Sequence, residues 1–169
     1  VDKKEVIELR RELRNLAGSA RWHTTEVGRS YEGRQKIRQM ARLIASFSTV
    51  VIALSSQLQE KDRGGELARS ILTKTLLDEL AQNHLYMTGT VVFEKRVPGE
   101  MRARDEALFS QVARGESPAS KLSFWGLASK NEPLLWAPDV VAWCFRQAYY
   151  KEDESFFQDL EKCTTVIKL

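Results

Sequence analysis

Three short β-branched runs limit what this chain can build: TVVIAL at 49–54, TVVFE at 90–94 and TTVIKL at 164–169. Runs of this length and composition suit strands buried in a sheet. Helical periodicities separate them. Val6, Leu9, Leu13 and Leu16 recur at steps of three and four before Gly18, which predicts an amphipathic helix over 1–18. Ile37, Met40, Ala41 and Ile44 predict a helix over 32–45, and Leu67, Ile71, Leu72, Leu76 and Leu80 give the apolar stripe of another after the turn DRGG. Helices are also expected over 98–115, opened by Pro98, over 134–150 and around 154–162. With extended segments at SARWHTTEV and SKLSFWGLAS, the strands fall at 20–25, 48–55, 86–95, 121–128 and 164–168. That alternation predicts a single α/β domain over 1–169, with a central mixed sheet of about five strands and helices on both faces.

Composition narrows the setting. The chain has 169 residues, long enough for a substantial core, and no apolar run as long as a membrane span. Cys144 and Cys163 have neither metal-ligand spacing nor the density of a disulfide scaffold, so a cytoplasmic protein without membrane contact is expected. The net charge of +3 is uneven: residues 1–45 hold 11 Lys/Arg against 6 Asp/Glu, a balance of +5. A basic end suits either a solvated helix face or a surface that meets the phosphates of nucleic acid.

The chemistry concentrates at a few polar residues set among apolar ones. Asp139 is the acid within LLWAPDVVAW, where a carboxylate loses hydration unless something compensates it. Pro138 suits the first position of a helix, which puts Asp139 in a first turn whose dipole favours negative charge. Glu94 ends the apolar run TVVFE, at the carboxyl edge where open α/β sheets bind ligands. Two such carboxylates suit Mg²⁺ or Mn²⁺, hard cations that prefer oxygen ligands. His23, with Glu26 three residues on, is a candidate proton carrier or third ligand. Lys95 and Arg96 are placed to neutralise phosphate charge. His84 suits the carbonyls of a helix end. The adjacent glycines of DRGGEL could cup an anion, but no P-loop follows, and GxGxxG, GxSxG, HExxH and paired CxxC motifs are all missing. The four tryptophans, with apolar neighbours, read as core.

The order of WHTTE, TVVIAL, VVFEKR and PLLWAPDVVAW resembles domain-of-unknown-function family 3800, whose fold is similar to the ribonuclease H superfamily. The resemblance implies a ribonuclease H-like domain with acids at Glu94 and Asp139 and a histidine at His23. It also implies a first strand carrying Asp-Glu-Ser. No such run occurs here, so the first strands of that fold are expected to be missing. The expected function is metal-dependent hydrolysis of phosphodiesters in DNA or RNA, with Glu94 and Asp139 on the metal and His23 orienting water or substrate. The alternatives are a catalytically silent module of the same fold that binds nucleic acid or a protein partner, and an interaction protein that docks through its first helix.

Overall fold

The computed structural model describes residues 3–55, 62, 64–83, 89–128 and 132–169. These fall into two compact units, the first comprising 1–50 with 127–164 and the second 51–126 with 165–169.

The first unit is helical. In α1 (Lys3–Ala17), Leu9, Leu13 and Ala17 are buried at four-residue steps, and Gly18, at φ +65°, ends the helix by returning its N–H to the Arg14 carbonyl. The next turn, α2 (Thr24–Val27), leads through Ser30 into α3 (Tyr31–Phe47). Ser30 caps α3 by accepting from the Gly33 N–H at 3.0 Å. Gly33, Ile37, Met40, Ala41 and Ile44 face inward from α3. A 3₁₀ turn at Pro133–Leu135 opens α6 (Trp136–Lys151), whose Val140, Val141, Cys144 and Phe145 are buried. A second 3₁₀ turn (Glu154–Phe156) and α7 (Gln158–Glu161) add Phe156, Phe157 and Leu160. Helix α3 is the hub of this unit, packing against α1, α2, α6 and α7. Each fully buried Leu, Ile, Phe or Val here contributes roughly 1.5–3 kcal/mol.

The second unit mixes helices with short strands. Helices α4 (Glu66–Asn83) and α5 (Glu100–Arg114) accompany β1 (Val50–Leu54), β2 (Thr90–Glu94), β3 (Ser123–Leu127) and β4 (Thr164–Lys168). The unit boundary passes through the first residues of β1 and β4 and the last of β3. Leu77, Ala81, Leu108, Val112, Ala119 and Leu122 form its core, with Val91, Phe109 and Phe124 packed on them. The turn before α4 uses Gly64 and Gly65 at φ +85° and +72°, and the amides it gathers are filled from within. The Asp62 carboxylate accepts from the Leu67 and Ala68 N–H groups at 2.9 and 2.8 Å.

The ribonuclease H-like fold with one central sheet of about five strands is corrected. Among the described residues, strand β1 pairs with β4 alone and β2 with β3 alone, giving two separate two-stranded parallel sheets in a chain that is mostly helical. Along β2 exposed and half-buried residues alternate, so its outer face lacks the covering layer that a central strand requires. The expected strand at 20–25 is also replaced. Trp22 is buried and its indole N–H donates to Thr24 Oγ1 at 2.7 Å, while the His23 carbonyl accepts from the N–H groups of Glu26 and Val27. Those bonds close a helical turn where an extended segment was expected. The stripe expected on α4 is also displaced, because Leu67 and Ile71 are exposed and the buried residues are Leu77 and Ala81. Residues 86–88 of the expected strand 86–95, and His84, lie outside the described residues. Among the described residues no helix is long and apolar enough to cross a membrane.

Candidate functional site

A cavity of about 470 Å³ in the first unit gathers His23, Thr24, Thr25, Glu26, Arg29, Asp139, Ala142, Trp143 and Arg146. One wall comes from α2 and the residues beside it. His23 precedes α2 with extended backbone (φ −134°, ψ 97°), and its imidazole caps nothing. The facing wall is one stripe of α6, because Asp139, Ala142, Trp143 and Arg146 follow the i, i+3, i+4, i+7 spacing of a helix face.

That stripe corrects the expectation of a desolvated Asp139. Trp136, Val140 and Val141 turn inward, whereas Pro138, Asp139, Ala142 and Arg146 are exposed and Trp143 is half-buried. Helix α6 begins at Trp136, so Pro138 is its third residue rather than its first, and Asp139 remains in the first turn. The turn between α2 and α3 is held by two close approaches. A β-carbon on Gly33 would lie 1.9 Å from the Val27 carbonyl oxygen, and one on Gly28 would lie 2.7 Å from Cζ2 of Trp143. Only glycine allows the chain to pass there.

The cavity lining carries two guanidinium groups, two carboxylates and an imidazole. Arg29 and Arg146 make no ion pair among the described residues. Their forked donors therefore remain available for a bidentate oxyanion such as carboxylate or phosphate.

Arg96 in the second unit is placed very differently. Its Nε and Nη2 donate to Asp105 at 2.7 and 2.6 Å, and Nη1 and Nη2 donate to Glu66 at 2.7 and 3.0 Å. Arg69 approaches the same aspartate at 3.5 Å. The hydrogen bonds from Arg96 hold the Asp105 and Glu66 carboxyls below their ordinary range, and hydrogen bonding to Asp105 and then Glu66 raises the Arg96 guanidinium. The donors of Arg96 are thus committed to tying the end of β2 to α4 and α5. Glu94 ends β2 and is exposed, and Lys95 is exposed with its stem laid across Gly126. The structure therefore brings His23 and Asp139 into one cavity, while Glu94, Lys95 and Arg96 belong to the other unit.

Among the described residues no three His, Cys, Asp or Glu side chains are grouped to hold a metal ion. Burial pushes the Cys144 thiol up to about 12, and Cys163 Sγ donates to the Leu160 carbonyl at 3.2 Å, so neither is arranged as a thiolate nucleophile. Arg29, Arg146 and Trp143 were not singled out as site residues by sequence. For Arg146 and Trp143 the signal was present in their helical spacing from Asp139; Arg29 carried none. Comparison with protein-family models, with curated proteins and with solved structures returned no match.

Proposed function

We propose that the first unit binds a phosphodiester in this cavity and hydrolyses it, as a nuclease acting on DNA or RNA. The observation that carries the proposal is the convergence of two arginines, without an ion pair among the described residues, with His23 and Asp139 on one cavity. Arg29 and Arg146 engage the non-bridging phosphate oxygens. Asp139 takes a proton from the attacking water as the new P–O bond forms. His23 donates a proton to the leaving oxygen as the old P–O bond breaks.

The test uses the full chain with end-labelled single-stranded DNA and RNA, in EDTA and with added Mg²⁺ or Mn²⁺. Arg29→Ala and Arg146→Ala should weaken binding and each lower the salt slope of log K by about 0.7, the increment for one phosphate contact on a single strand. Asp139→Asn and His23→Gln should abolish cleavage while binding changes little. Binding without cleavage in every condition would reduce the protein to a silent binding module. Loss of salt-dependent binding in neither arginine variant would remove the phosphate from this cavity.

A further inference from the structure

Trp143 has a feature that phosphate binding alone leaves unused. Its ring lines the cavity between Asp139 and Arg146, half-buried and held on two sides. On one side Gly28 passes so close that a β-carbon there would meet Cζ2 at 2.7 Å, Cε2 at 2.9 Å and Nε1 at 3.1 Å. On another, Phe156 meets the ring edge-on, with centroids 4.9 Å apart and planes at 89°. Phe156 is itself fixed, because the Arg38 guanidinium lies 4.4 Å above its ring and Arg38 Nη2 donates to Ser155 Oγ at 2.7 Å. Trp22 and Trp136 are buried as core residues, which Trp143 is not. A rigid indole that opens on a polar cavity between charged groups has little to do for a bare phosphate. It matches a planar aromatic group joined to one.

We propose that Trp143 is a stacking platform for a nucleobase, so the cavity takes one nucleotide unit of single-stranded nucleic acid, its base on Trp143 and its phosphate on Arg29 and Arg146. The proposal rests on the phosphate-binding reading of the same cavity and adds the substrate class. A duplex keeps its bases stacked on one another, so the platform selects single strands.

Binding of a fluorescein-labelled thymidine pentamer to the full chain, followed by anisotropy at low salt, tests this against an abasic pentamer with the same number of phosphates. The base-bearing strand should bind at least about fivefold more tightly, the increment of one stacked base. Trp143→Leu should bring the base-bearing and abasic strands to within about twofold of each other, and Trp143→Phe should keep part of the difference. Equal binding of the two strands by the unaltered protein overturns the stacking proposal; if Arg146→Ala still weakens both, the phosphate reading survives it. Binding of neither strand overturns both. A duplex of equal length bound as tightly as the single strand also overturns stacking. The comparison of the two strands needs only the unaltered protein, so a variant that fails to fold does not rescue the idea.

Discussion

Two arginine sites, one in each unit, put the same side chain to opposite uses. In the second, Arg96 spends its donors on Asp105 and Glu66, with Arg69 adding a further cation at Asp105. In the first, Arg29 and Arg146 stand on one cavity without an ion pair among the described residues. A guanidinium bound on both sides by carboxylates holds structure together, and in Arg96 four of the five N–H donors are committed that way. One without such a partner contributes little to stability and remains able to bind. Adjacent basic residues after an apolar run, as in Lys95-Arg96, therefore say little about phosphate until their partners are known.

The largest test of this contrast is Arg96→Ala. It leaves Asp105 buried without its main partner, and should cost about 2–4 kcal/mol, between a surface pair and a fully buried one. Urea unfolding would show the loss as a lower midpoint, and an unchanged midpoint would break the contrast from the structural side. Next is Gly28→Ala, whose methyl collides with Trp143 and should cost about 1–3 kcal/mol through overpacking. It should also weaken binding of the base-bearing strand more than of the abasic one, which separates it from a loss of stability alone.

A smaller effect is expected with pH. The carboxyl of Asp105 is held below its ordinary range when folded, so its contribution to stability is complete above the unfolded value of about 3.9. That contribution is lost as pH falls through the depressed folded value. Thermal melts of the protein and of Asp105→Asn, compared between pH 6 and pH 2, should converge toward the acid end. Parallel curves across the range would remove the Arg96 network as the source. The smallest effect is the change in stability on Arg29→Ala or Arg146→Ala, expected within about 0.5 kcal/mol because neither loses an ion pair to a described residue. A loss above about 1 kcal/mol would mean that these arginines are structural after all, and the contrast would fail.

How much the sequence determined is clearest in the helices. Leu9 and Leu13 in α1, Ile37, Met40, Ala41 and Ile44 in α3, and the run that becomes α6 all carry a 3.6-residue period, and each helix lies where that period puts it. The short runs at 50–54, 90–94 and 164–168 are strands too, because β-branched residues disfavour the alternatives locally. Which strand pairs with which is a long-range choice that no local preference encodes, and there the expected single sheet gave way to two pairs. The segment at 20–25 shows the same limit. Its Trp and Thr residues suit a strand, but the Trp22–Thr24 hydrogen bond and the carbonyl of His23 close a helical turn instead. The polar residues divide similarly. Asp139 and His23 were visible as isolated polar groups, and their sharing a cavity with Arg29, Arg146 and Trp143 depended on how α2 packs against α6. Arg96 looked free in sequence, but tertiary structure placed Asp105 and Glu66 against it. Periodicity is a property of neighbours along the chain, whereas a site or an ion pair depends on residues that only folding brings together.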